Sequence, residues 1–153
     1  MINHVSFCAN IIKLRSSGFI PEIGLILGSG LGSFAQQVEV TSKISFEDLP
    51  GFPEAGVGGH AGQLILGHIK GTKVAILQGR AHYYEHGKAD AMSVAIRTLK
   101  EIGCQSLVLT NAAGAINTNV SPGDLMLITD HINMTGVSPL FGETGNDRFV
   151  DMC

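Results

Sequence analysis

The run Gly79-Arg80-Ala81-His82-Tyr83-Tyr84-Glu85 places a guanidinium, an imidazole, two phenols and a carboxylate within a short span. A guanidinium offers a planar fork of N–H donors that matches two oxygens of a phosphate or carboxylate. His82 adds a donor beside that fork, and Tyr84 adds a face on which a ring can stack. Three other patterns suit the same ligand. Gly28-Ser29-Gly30-Leu31-Gly32 lets backbone N–H groups approach an oxyanion closely, with the Ser29 hydroxyl as a further donor. His60, flanked by Gly58-Gly59 and Ala61-Gly62, stands on a loop that could close over an anion. Asn111-Ala112-Ala113-Gly114 leaves room for a flat ligand and exposes backbone to it.

Each pattern also has a plainer explanation. The glycine run suits a tight turn, Arg80 a surface ion pair, and His82 and His60 ordinary loop positions. Asn111 suits a local bond from side chain to backbone. Position is what separates the two kinds of explanation. Three of the four patterns directly follow an apolar run, and ligands of open α/β sheets collect at the carboxyl ends of strands. Ser29, Arg80 and His82 then hold an oxyanion, while Tyr84 and the small residues at 111–114 receive a ring. No reaction follows from these residues alone.

Several other chemistries are disfavoured. A dinucleotide fingerprint would need glycine at position 33, where Ser33 stands, and no Gly-Lys-Ser/Thr of a nucleotide-binding P-loop follows. No His/Cys/Asp cluster suggests a metal, and no pair of carboxylates is spaced for acid–base work. His68 and His131 read as structural, and His4 and His86 have no assigned role. Cys8, Cys104 and Cys153 are widely spaced and odd in number, which suits reduced thiols in a cytoplasmic protein better than a disulfide framework.

The elements that must position these groups follow from periodicity. Val5, Cys8, Ala9 and Ile12 predict a helix over 3–15 with Asn3 as its N-cap. Ile23 to Leu27 predicts a strand buried on both faces, and Ser33 to Gln37 a short helix. Strands are expected over 38–44, 63–68 and 72–77, the last two joined as a hairpin at Lys70-Gly71. Met92, Ala95, Ile96, Leu99 and Ile102 form the stripe of a helix over 89–102. Leu107 to Leu109 reads as a further buried strand, and Leu125 to Thr129 as another. Strands alternating with helices make the class α/β.

Composition agrees. Apolar residues at 44 % and charged residues at 15 % supply a core and exclude a disordered chain. A net charge of −3 without a Lys/Arg-rich tract argues against a nucleic-acid partner. No run is long enough to span a bilayer, and the first residues lack a signal-peptide profile.

Taken in order, Leu27-Gly-Ser-Gly-Leu-Gly32, Gly59-His-Ala-Gly62, Gly79-Arg-Ala-His-Tyr-Tyr-Glu85 and Thr110-Asn-Ala-Ala-Gly114 resemble the trimeric class of purine nucleoside phosphorylases. Ser138-Pro139-Leu140 and Phe149-Val150-Asp151 continue the likeness. The resemblance implies a central mixed, twisted sheet flanked by helices. It implies phosphorolysis, in which phosphate attacks C1′ of a purine (deoxy)ribonucleoside to give free base and (deoxy)ribose 1-phosphate. Inorganic phosphate is then a co-substrate, and no cofactor is implied. Ser29, His60, Arg80, His82 and the backbone at Ala112 would bind phosphate, with Arg80 and His82 as the catalytic groups. Tyr84 would contact the sugar, Asn111, Ala112, Ala113 and Gly114 would line the base pocket, and Phe149 would reach a neighbouring site in a cytoplasmic homotrimer.

The family is much longer than 153 residues. The chain is therefore expected to be the N-terminal part of one phosphorylase domain, with an incomplete sheet, lacking the family's base-binding glutamate and asparagine. By itself it is expected to be inactive. Two alternatives stand beside the enzyme: a non-catalytic phosphate- or nucleoside-binding fragment, and a methylthioadenosine phosphorylase. The latter usually differs at the serine-glycine and Asn-Ala-Ala-Gly motifs, both of which here take the nucleoside phosphorylase form.

Overall fold

A computed structural model describes residues 3–54 and 62–149. Five strands form one sheet in the order β2-β3-β4-β1-β5, where β1 is Ile23–Ile26, β2 Glu39–Ser45, β3 Gln63–Ile69, β4 Thr72–Gln78 and β5 Ser106–Leu109. The sheet is mixed. β2, β3 and β4 pair antiparallel, whereas β1 runs parallel to both β4 and β5. This matches the expected mixed sheet, and the three parallel strands end on one edge with β1 in the middle.

Side-chain alternation divides the core into two layers. On one face Leu64, Leu66, Ala75, Leu77 and Ile26 pack against α1 (His4–Arg15) and α3 (Ser93–Glu101) through Cys8, Ala9, Ile12, Ala95, Leu99 and Ile102. On the other, Ile65, Val74, Ile76 and Leu27 meet Ala35 and Val38, which belong to or follow the 3₁₀ turn Gly32–Gln37. Both long helices therefore lie on the same face. Asn3 caps α1, its side chain accepting from the N–H groups of Val5 and Ser6. β3 and β4 turn at Lys70-Gly71, both at positive φ, which makes the tight hairpin that the dipeptide predicts.

Three expectations need correction. The helix expected over 89–102 starts only at Ser93, with residues 89–92 in turns ahead of it. β5 forms where expected, yet Val108 and Leu109 are exposed, because the strand has β1 on one side and, among the described residues, no neighbour on its other edge. The strand expected at Leu125 to Thr129 is absent, and Leu125, Met126 and Leu127 stand in solvent. An isolated apolar run has no ladder partner for its N–H and C=O groups, so β propensity alone does not hold it extended. His68 lies in β3 with its ring edge-on to Phe19, while His131 is exposed outside any strand.

Candidate active site

The site grows from the ends of the three parallel strands. β1 leads into Leu27 and Gly28, β4 into Gly79 and Arg80, and β5 into Thr110. Gly28 is buried where β1 and β5 end together. A Cβ built on it would lie 2.5 Å from the Thr110 carbonyl oxygen and 2.9 Å from Asn111 Cα. Only glycine permits backbone to approach backbone so closely. Gly79, at φ +138°, gives the chain its bend out of β4.

Thr110 ties the ends together. The Gly28 N–H donates to Thr110 Oγ1 at 2.8 Å. The Thr110 hydroxyl donates to the Ile26 carbonyl at 3.1 Å. Arg80 Nη1 donates to the Thr110 carbonyl at 2.7 Å. The expected convergence of the Gly28 loop, Arg80 and the 110–114 segment on one edge is therefore present in bonds.

Around Arg80 the remaining contacts order the imidazole. Arg80 Nε donates to His82 Nε2 at 3.3 Å. Arginine has no acceptor, so His82 Nε2 accepts in this bond, while His82 Nδ1 lies 3.5 Å from Glu85 Oε2. The same Glu85 oxygen accepts the His82 backbone N–H at 2.7 Å, closing the first turn of α2 (Tyr83–His86). That bond is the main cause holding the Glu85 carboxyl below its ordinary value of 4.5, with the His82 and His86 rings adding to it. Tyr84 stacks on His82 with ring centroids 4.9 Å apart at 20°. Beneath them the Ala81 N–H donates to Met92 Sδ at 3.4 Å.

Other expected residues stand apart from this cluster. Ser29 is exposed on the Gly28 loop at the same sheet edge. Asn111, Ala112, Ala113 and Gly114 leave β5 without regular secondary structure and are exposed, so among the described residues they offer a floor without walls. Phe149 is exposed with the Arg148 guanidinium 4.8 Å over its ring, and has no aromatic contact with Tyr84 among the described residues. His60 lies outside the described residues. Two clefts of about 310 Å³ lie near the cluster: one along Gly32, Gln36, Lys43 and Gln78, the other between Tyr83, Lys88 and Pro139. Neither encloses Arg80.

Glu85, Thr110 and Met92 carry site geometry without having been given a role from sequence. Glu85 and Thr110 fall inside the quoted motifs, so the signal was present for them. Met92 reads only as one position of an apolar helical stripe, and nothing in its spacing points to an N–H partner. Among the described residues no group of three or more His, Cys, Asp or Glu could hold a metal ion, and no helix is long and apolar enough to cross a membrane.

With this geometry in place, comparison with known proteins is specific. Residues 22–153 match the family described as the phosphorylase superfamily. The chain is 49 % identical over 135 residues to purine nucleoside phosphorylase 1 of Bacillus subtilis (strain 168), covering 86 % of this chain and 50 % of that protein. It is 40 % identical over 132 residues to purine nucleoside phosphorylase of Bos taurus, covering 84 % and 45 %. A crystal structure of purine nucleoside phosphorylase in complex with ribose-1-phosphate superposes with a TM-score of 0.70 at 41 % identity, over 80 % of this chain and 45 % of that one. The Schistosoma mansoni enzyme in complex with acetate gives 0.71 at 41 %, again over 80 % and 45 %. The chain thus spans about half the length of the curated relatives it matches.

Proposed function

This chain belongs to the phosphorylase superfamily, and from that premise we propose that it forms the phosphate-binding part of a purine nucleoside phosphorylase. The observation that carries the proposal is the Arg80–His82 pair at the joint of three strand ends, beside the glycine loop that follows β1. In the reaction a phosphate oxygen forms a bond to C1′ as the C1′–N bond breaks, and the electron pair of that bond leaves with the purine. Positive charge builds on the sugar in between, so a phosphate dianion held against it lowers the barrier by positioning and electrostatics.

Each residue has a defined part. Arg80 spends one N–H on Thr110 and one on His82. Three further N–H groups of the five remain for phosphate oxygens. His82, held between the Arg80 guanidinium and the Glu85 carboxylate, borders the same anion. Ser29 and the amides of its loop take the remaining oxygens, with His60 and the Ala112 backbone assisting. Tyr84, already flat on His82, meets the sugar, and Asn111 to Gly114 floor the base. Phe149 from a neighbouring copy, homotrimer assembly and a cytoplasmic location belong to the same proposal. The apolar side chains exposed at Ile116, Ile132, Met134 and Phe141 support burial against further protein.

The test is phosphorolysis of inosine, guanosine and adenosine by the full-length protein. Phosphate-dependent release of free base from at least one is expected. No release from any of the three contradicts the proposal.

A non-catalytic, phosphate-binding role for these 153 residues alone has its own support, since Asn111 to Gly114 are exposed and have no covering wall among the described residues. The 153-residue polypeptide is then expected to leave inosine intact, and phosphate-dependent loss of inosine by it would refute this.

A further inference from the structure

We propose that Thr110 is a positioning residue for the anion, fixing the Gly28 loop against Arg80; the identity of that anion as phosphate rests on the function proposed above. The sheet ladder does not do this. The register of β1 with both neighbours ends at Ile26, opposite Leu77 on β4 and Leu109 on β5. One more backbone bond, from the Leu27 N–H to the Leu77 carbonyl, extends the β1–β4 side. Beyond it the loop and the arginine share Thr110.

Four bonds converge on that residue. Its N–H and its hydroxyl both donate to the Ile26 carbonyl, each at 3.1 Å. Its Oγ1 accepts the Gly28 N–H, and its carbonyl accepts Arg80 Nη1. Gly28 is buried, so losing the hydroxyl strands a buried donor, and the loop must turn to find water for it. The position needs an acceptor and a donor on one Cβ substituent. Threonine and serine supply both, and valine keeps the shape without either.

The experiment compares T110V and T110S in the full-length protein by calorimetric titration with inorganic phosphate, together with KM for phosphate and for nucleoside. T110V is expected to bind phosphate about tenfold more weakly, because of the two bonds its hydroxyl makes the one from the Gly28 N–H leaves a buried donor unpaired when lost. T110S should stay near wild type, and the nucleoside KM should change little in either. T110V binding phosphate as wild type does, or T110S losing as much as T110V, overturns the role of the hydroxyl while leaving the proposed function standing. A wild-type protein that binds no phosphate overturns both. Should T110V not fold, hydrogen exchange of the wild-type Gly28 amide decides: protection is expected, and exchange at the rate of an open loop contradicts the proposal.

Discussion

Arg80 gives two of its donors to Thr110 and His82, and the proposal leaves the rest to phosphate, a division that predicts how its replacements behave. Arg80→Lys keeps the charge but cannot reach Thr110 and His82 together as a fork does. Phosphate affinity should fall about tenfold or more, as expected for losing a charge-assisted bond, with little change in thermal stability; equal affinity in a phosphate titration would show that the fork is unnecessary. Glu85 behaves differently because its main partner is backbone. Its carboxyl lies below 4.5 in the folded chain. The stabilising contact is therefore complete above the unfolded value and is lost as pH falls through the depressed folded one. His82→Ala removes the ring but leaves the N–H, so the Glu85 midpoint followed by NMR should rise and still stay below 4.5. A midpoint returning fully to 4.5 would assign the shift to the ring instead.

At the scale of elements, the turn after β1 is the tightest constraint. Gly28→Ala places a methyl against the Thr110 carbonyl and forces β1 and β5 apart at their ends. A cost of about 1–3 kcal/mol is expected from overpacking of this kind, measured by urea unfolding, with weaker phosphate binding alongside it. Neutral stability would mean that the two backbones separate freely. Cys104, just beyond α3, tests burial. Its thiol is pushed up to about 11 by desolvation, so it should react slowly with iodoacetamide near neutral pH. The raised folded value means that its contribution is complete below the ordinary 9.0 and is lost as pH rises towards 11. The strands and helices that meet a partner within the described residues were legible from periodicity: Leu64 and Leu66 alternate with Ile65, and Ala95 and Leu99 share one face. The four-residue helix at Tyr83 was not, because a His82–Glu85 backbone cap makes it and no apolar repeat marks it. The convergence of Gly28, Arg80 and Thr110 was legible as a shared strand-end position, but the bonds joining them were not, since they depend on β1 lying between β4 and β5.

Across the whole molecule the two sides of the candidate site differ. The side that would hold phosphate is tied by short bonds to the sheet. The segment from 111 to 136 is exposed throughout, with Ile116 fully open and Leu125 96 % exposed. Exposed apolar side chains of this kind are suited to contact with further protein, and among the described residues β5 has an unpaired edge beside them. The 153-residue polypeptide should accordingly self-associate with rising concentration in sedimentation velocity, and a strictly monomeric chain would contradict this. The central claim is that the three joined strand ends bind the attacking phosphate. It is tested most directly by the phosphate dependence of sugar 1-phosphate formation from inosine, in the full-length protein and its Arg80→Ala variant. Saturation with phosphate in the wild type and a phosphate kcat/KM lowered about tenfold to a hundredfold in the variant are expected for loss of a charged donor. An Arg80→Ala variant with unchanged phosphate dependence would contradict it.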